Sequence, residues 1–281
     1  MTSTILVLGP KLAIALALLT AAAVAVAIVG RLGHGRQIAV AAARAALQLA
    51  AVSLMITAII SSLWATAAFV LLMCAVATVT SGRRITGGRN GWWAGVPIAT
   101  ASLTVVAALL LAGLVPLRGI AIIPIAGILT GGAMTATSLA GRRFNDDLRA
   151  RRGEVEAALA LGLLPRDAAL LVCRPAASQA LIPALDQTRT VGLVTLPGAF
   201  VGVLLGGASP LTAGITQLFV LVGLLAVEAT AIVLTIELMA RGRLRPRSSA
   251  TQASLPRNAI TPHITSMSLD QSVRPGWPSA P

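Results

Sequence analysis

Residues 38–79 read IAVAAARAALQLAAVSLMITAIISSLWATAAFVLLMCAVATV, an apolar run with two adjacent serines, Ser61 and Ser62, near its middle. One membrane crossing needs roughly 20 apolar residues, because the hydrocarbon core of a bilayer is about 30 Å thick. The run is therefore too long for one crossing and long enough for two. We predict a tight helical hairpin, Ile38–Ile60 and Leu63–Val79, that turns at the two serines.

The whole chain has the composition of a membrane protein. Of its 281 residues, 56% are hydrophobic and 11% are charged, whereas roughly a quarter of the residues in a soluble domain are charged. Seven runs are candidate spans: Leu12–Val29, Ile38–Ile60, Leu63–Val79, Trp93–Leu114, Ile120–Leu139, Val191–Gly206 and Leu211–Ala240. The sixth is short and broken by Gly192 and Pro197, so a discontinuous helix fits it equally well. We predict an all-α fold, a polytopic membrane helix bundle with about seven transmembrane helices.

The arginines predict the orientation of the chain. They concentrate in alternate loops, namely those after the first, third and fifth runs, and after the last run. Because cytoplasmic loops carry an excess of basic residues, we expect the N-terminus outside and the C-terminus in the cytoplasm of a plasma (inner) membrane protein. A cleaved signal peptide is the weaker alternative for the first run, because no basic region precedes it. Residues 1–244 would form the transmembrane domain, and residues 245–281, rich in Ser, Pro and Thr, a disordered cytoplasmic tail.

Several classes of function are disfavoured by residue usage. The net charge of +13 lies in membrane loops and does not imply nucleic-acid binding. Two cysteines, Cys74 and Cys173, and two histidines, His34 and His263, cannot build a zinc cluster. The only lysine is Lys11, so no phosphate-binding loop for ATP can form. We therefore expect a protein that is not an enzyme and that holds no cofactor of its own.

One long cytoplasmic loop, about Arg142–Arg189, holds six of the nine acidic residues interleaved with eight arginines. Such mixing is typical of solvated helices. A stripe at helical spacing predicts that the helix of the fifth span continues into this loop: Phe144, Leu148, Val155, Leu159 and Leu163. Gly162 supplies a stop, and Pro165 opens a second helix, Pro165–Leu181. The loop is predicted to be a helix-turn-helix elbow.

The elbow resembles the one that an ABC transporter permease presents to its ATPase. In that signature Glu-Ala-Ala is followed by three residues, Gly, nine residues and Ile-x-Leu-Pro. Here Glu156-Ala157-Ala158 is followed by Gly162 and by Val172-Cys173-Arg174-Pro175, in which Arg174 replaces the Leu. The resemblance implies a set of ATPase-coupling residues: Glu156, Ala157, Ala158, Gly162, Pro165 and Arg166. Alanines would let a partner approach the helix closely.

Two longer stretches strengthen this resemblance. They are IPIAGILTGGAMTATSL at residues 123–139 and ALIPALDQTRTVGLVTLPGAFVGVLLGGASP at residues 180–210. They are similar to IPIAGMIxGNAM and LIPTxxxxxxVGLVSLPGMMxGxIxxGxDP in the family of FetB-type bacterial iron-export permeases and their plant aluminium-resistance relatives. Arg44 and Gln48 match the RAxxQL pattern of that family. The departures are Gly132 for asparagine, Ala199 and Phe200 for two methionines, and Ser209 for aspartate.

The resemblance implies a permease domain that works as a homodimer. A separate cytoplasmic ATPase subunit would bind ATP and Mg, and the permease would export an iron-like metal ion or its complex. We take six residues as pathway candidates: Arg44, Gln48, Pro124, Met134, Pro197 and Glu228. Glu228 is the strongest, because an acidic residue inside a span is costly and is a functional hypothesis by default. Two alternatives remain open: Glu228 could be a structural carboxyl, and Met134 could be part of the packed core. The metal ligands are not assigned.

Two other classes of function remain open. A secondary transporter could use Glu228 to carry a proton or cation and would need no ATPase. A membrane scaffold could use its basic loops to hold anionic lipid or a regulatory protein.

Overall fold

The computed structural model of the chain describes residues 9–60 and 62–244, so the predicted tail lies outside the described residues. Within this part the chain forms ten α-helices and no β-strand. The helices are α1 (Pro10–Val29), α2 (Gly35–Ile60), α3 (Leu63–Thr86), α4 (Gly95–Leu111), α5 (Gly119–Ala150), α6 (Arg152–Ala160), α7 (Pro165–Ser178), α8 (Ile182–Thr190), α9 (Gly198–Leu205) and α10 (Pro210–Ala240). Two 3-10 segments, Arg89–Ala94 and Gln179–Leu181, precede α4 and α8.

The predicted hairpin is confirmed. Helix α2 ends at Ile60 and α3 begins at Leu63, so the chain turns where the two serines interrupt the apolar run. Seven helical stretches among the described residues are long and apolar enough to cross a membrane, and six of them, all but the sixth, contain or overlap the predicted runs. The all-α polytopic class is therefore confirmed.

Helices α5 and α10 form the centre of the bundle, with α3 and α4 packed against them. Small residues make this close packing possible: Ala133, Ala136 and Ala140 of α5 are all buried. Helices α1 and α2 pair with each other at the side of this core. The candidate span at the start of α2 has no buried residue, so its surface is open along its whole length.

Two contacts fix the register of α5 against α10. A side-chain carbon at Gly132 of α5 would lie 2.9 Å from Oε1 of Glu228, and one at Gly223 of α10 would lie 3.8 Å from Leu129. Because the residue numbers rise together, the two helices run in the same direction. Continuing the register by nine residues from Gly132 places Glu237 of α10 at about the level of Gly141.

Helix α7 packs against both α5 and α10. At its start Arg166 binds Glu237 of α10, and just beyond its end Gln179 binds Arg143 of α5. In its middle the backbone carbonyl of Val172 accepts a hydrogen bond from Arg151, where α5 ends.

The sixth predicted span needs a correction. Residues 191–206 do not form one helix: a loop with a bridge between Val191 and Thr195 leads into the eight-residue α9. By length and composition the sixth candidate span is instead Pro165–Thr190, which the sequence had placed in the cytoplasmic loop. The glycine and proline content of 191–198 explains the break, because neither residue supports a helix interior.

Candidate functional site

The side chain of Glu228 lies inside the bundle. It is 8% exposed and sits between α10 and α5, 12 residues before Ala240, which is about 18 Å along the helix axis. Within the described part of the chain its carboxyl group forms no hydrogen bond or ion pair. A buried carboxyl without such partners is costly in an apolar environment, so its position calls for a role.

Gly132 creates the space that this carboxyl occupies. A side-chain carbon at residue 132 would collide with the side chain of Leu224 and would lie 2.9 Å from Oε1 of Glu228. The glycine therefore lets α10 place a carboxyl directly against the α5 backbone. In the sequence, Gly132 was noted only because it departs from the family pattern. In the structure, the carboxyl of Glu228 occupies the space beside it.

The other pathway candidates do not converge on Glu228. The backbone carbonyl of Met134 accepts a hydrogen bond from Ser81 of α3 at 3.0 Å, and its side chain packs with the core. Pro124 is exposed on α5, and Pro197 precedes α9 at an apolar pocket of about 280 Å³. Arg44 and Gln48 line a separate groove on α2.

Sequence reasoning missed Gln217, which is 4% exposed on α10. Its Oε1 accepts a hydrogen bond of 3.1 Å from the backbone N–H of Phe200, in the first turn of α9. The first N–H groups of a helix have no partner within it, so this side chain anchors α9 to α10. The sequence signal that could have identified Gln217 is a side-chain amide within an apolar run.

The elbow contains α6 and the start of α7. Glu156 accepts a hydrogen bond of 2.8 Å from Arg152 on an exposed face. Ala157 is exposed, but Ala158 is only 6% exposed. The expectation that both alanines face a partner is therefore wrong for Ala158, which already packs inside the elbow.

The predicted stop at Gly162 is confirmed. Its φ of +92° lies in the left-handed region that favours glycine. The N–H of Gly162 donates to the carbonyl of Leu159 at 2.9 Å, and the N–H of Leu163 to that of Ala158 at 3.2 Å. This pair of bonds is a Schellman turn. Pro165 then opens α7, as predicted, and Asp167 lies in its first turn.

Arg166 connects the elbow to α10. Its Nε lies 2.7 Å from Oε1 of Glu237, and its Nη2 lies 2.8 Å from Oε2. Asp167 and Arg241 extend the cluster, since Asp167 binds Arg166 and Arg241 binds Glu237. Two parallel bonds between a guanidinium and a carboxylate fix orientation as well as distance.

Arg151 makes a second connection, where α5 ends and α6 begins. It donates to both carboxyl oxygens of Glu154, and its Nη1 donates to the backbone carbonyl of Val172 in α7 at 3.0 Å. The hydrogen bond from Arg151 lowers the pKa of the Glu154 carboxyl below its ordinary value. The turn therefore keeps its charge pair in mildly acidic solution.

Among the described residues, no three His, Cys, Asp or Glu side chains lie close enough together to hold a metal ion. Glu228 therefore belongs to no such ligand group among the described residues.

Comparison with known proteins gives the family. The model described as "Uncharacterised protein family (UPF0014)" matches residues 10–243. The chain belongs to this family. It is 39% identical over 205 residues to the UPF0014 membrane protein STAR2 of Oryza sativa subsp. japonica, a match that covers 72% of each chain. No solved structure matches the chain.

Two further members of the family carry more descriptive names. The chain is 40% identical over 152 residues to "Protein ALUMINUM SENSITIVE 3" of Arabidopsis thaliana, covering 54% of this chain and 56% of that one. It is 32% identical over 135 residues to "Probable iron export permease protein FetB" of Escherichia coli (strain K12), covering 48% and 52%. The chain thus spans about half the length of these two relatives. The resemblance inferred from the motifs is confirmed, and the protein is a multi-pass membrane protein.

Proposed function

We propose that the chain is the membrane permease subunit of an ABC transporter that exports a metal ion or its complex. One observation carries this proposal: helix α7, which follows the elbow turn, is bound at its start to α10, the helix that buries Glu228. Two copies of the permease would pair with two copies of a separate ATPase, which binds ATP and Mg. An ordinary loop helix would need no bidentate link to a central span.

The elbow is well placed to receive the movement of a partner. Glu156 and Ala157 lie on its exposed face, and the Gly162 turn joins that face to α7. A displacement of α6 would reach α7 through the turn and through Arg151. It would then reach α10 through Arg166 and Glu237. In this scheme ATPase closure tilts α10 and changes the access of Glu228 to either side of the membrane.

The names of two relatives favour a metal substrate. One is named as an iron export permease and another for aluminium sensitivity. A carboxylate is a hard ligand and suits such cations better than the thioethers that the family pattern carries at residues 199 and 200. We therefore place Glu228 on the substrate path.

The test is transport into inside-out membrane vesicles that contain the full chain and its co-expressed ATPase. Radioactive Fe²⁺ is the probe, and ATP is added outside. ATP-dependent accumulation is expected, because export from the cytoplasm is uptake into inverted vesicles. Glu228→Gln should keep the amounts of both subunits and depress accumulation at least tenfold, since it retains the shape and removes the charge. Unchanged accumulation would make Glu228 structural.

A secondary transporter is the second candidate, favoured by the isolation of Glu228 inside the bundle. The same vesicle assay distinguishes a secondary transporter from an ABC permease. If a pH gradient drives accumulation without ATP or ATPase, and Glu228→Gln removes it, the ABC proposal is wrong.

A further inference from the structure

A basic groove of about 620 Å³ lies between α2 and α3. Arg36 and Arg44 of α2 and Arg84 of α3 line it, and Gln48 lies at its deep end. None of its lining residues is acidic. Within the described part of the chain, these three guanidinium groups form no hydrogen bond or ion pair. The groove therefore concentrates positive charge that the protein itself does not neutralise.

The groove extends into the bilayer. Arg84 is in the last turns of α3, next to the predicted cytoplasmic surface. Arg44 is nine residues beyond Gly35, the start of α2, and Gln48 is thirteen beyond it, or about 14 and 20 Å along the helix. Ala41 and Ala45 lie between these long side chains and leave the groove its volume. Polar groups at this depth need a polar partner, because lipid chains offer none.

The groove opens to the lipid, not to the protein interior. The α2 span has no buried residue, and Val40, which lines the groove, is 49% exposed. A molecule could therefore enter sideways from the membrane. A guanidinium at the depth of Arg44 extends its side chain towards the surface, where lipid phosphates lie.

We propose that this groove binds the phosphate group of an anionic phospholipid, with its acyl chains along α2. The three arginines would donate charge-assisted hydrogen bonds to the phosphate oxygens. The Gln48 amide would contact the glycerol esters below. Charge complementarity selects this occupant over a second copy of the chain. Two copies that paired face to face through the groove would bring their own arginines together. The site is independent of the ATPase and of Glu228.

The experiment is native mass spectrometry of the purified full-length chain in detergent. Phosphatidylglycerol and phosphatidylcholine of the same acyl length are the probes. We expect one tightly bound phosphatidylglycerol per chain and at least tenfold weaker binding of phosphatidylcholine. Each arginine near an anionic lipid surface contributes roughly a fivefold gain in affinity, so Arg44→Gln and Arg84→Gln should each weaken phosphatidylglycerol binding at least fivefold.

Arg83→Gln is the matched control. Arg83 is the neighbour of Arg84 on α3, carries the same charge and does not line the groove, so its substitution should leave binding within twofold. Equal losses for Arg83→Gln and Arg84→Gln would mean diffuse attraction and would overturn the site. Equal binding of the two lipids would do the same. Full competition by millimolar glycerol phosphate would assign the groove to a soluble anion and overturn the lipid proposal. All three side chains are on open helix faces, so the variants should elute from a sizing column like the parent.

Discussion

Gly162 offers the sharpest test of the elbow, because its backbone angle alone sets the cost of a substitution. A side-chain carbon there would meet nothing within 4 Å, and the φ is +92°. Steric crowding from neighbours therefore contributes nothing, whereas a non-glycine residue in a left-handed conformation costs about 1–2 kcal/mol. Gly162→Ala should thus raise the population of the open turn about 5- to 30-fold. Gly162→Val adds a β-branch and should exceed that range.

Hydrogen exchange of the full chain in detergent can measure this opening directly. The amides of Gly162 and Leu163 close the turn, so their exchange should accelerate by the same factor. Gly162→Asn should accelerate this exchange less than Gly162→Ala does, because asparagine tolerates left-handed backbone angles. Gly153→Ala is the control: Gly153 is in α6, has open space around it and no left-handed φ, so alanine should slow exchange in α6. If Gly162→Ala exchanged like the parent, the backbone argument would fail.

Three further predictions concern the membrane topology of the chain and the packing of the elbow. Reporter tags at Gly88 and at the C-terminus should report cytoplasm and a tag at Ser209 the outside; any other pattern contradicts the orientation. Ser178→Cys, at the end of α7, should react with a membrane-impermeant thiol reagent from the cytoplasmic side if the predicted loop is cytoplasmic, and full protection would instead place α7 within a span. Ala157→Leu should keep the thermal stability and lower stimulation of the ATPase, whereas Ala158→Leu should cost about 1–3 kcal/mol by overpacking. Equal stability of the two leucine variants, measured by thermal unfolding, would contradict the burial of Ala158.

The length of apolar runs predicted most of the fold, because one crossing has a fixed minimum length. The hairpin at Ser61 and Ser62 follows from this rule alone. The contact between α7 and α10 does not, because it depends on Arg166 meeting Glu237, 71 residues away. From the sequence alone, a charged loop residue could pair with any of several residues of opposite charge. Its partner is identified only in the folded chain.

The predicted apolar stripe of the elbow fails for a local reason. The predicted stripe assumed one helix from Phe144 to Leu163, but the helix breaks at Arg151, where φ is −110° and ψ is 32°. The break resets the helical phase, so that Ala158 faces inward while Leu159 is 40% exposed. A stripe at helical spacing predicts a buried face only while the helix is continuous.

Helix α10 carries both ends of the proposed coupling. Glu237 and Glu228 are nine residues apart, which is about 14 Å along the axis and about half a turn around it. Glu237 therefore faces α7 while Glu228 faces α5 at Gly132. A tilt of α10 that α7 imposes at Glu237 must move Glu228 relative to the α5 backbone. The α5 surface that Glu228 meets is backbone at Gly132, and the Leu224 side chain packs into the same space. Because the fit of the carboxyl against Gly132 is this close, a tilt of α10 would change the surroundings of Glu228 directly.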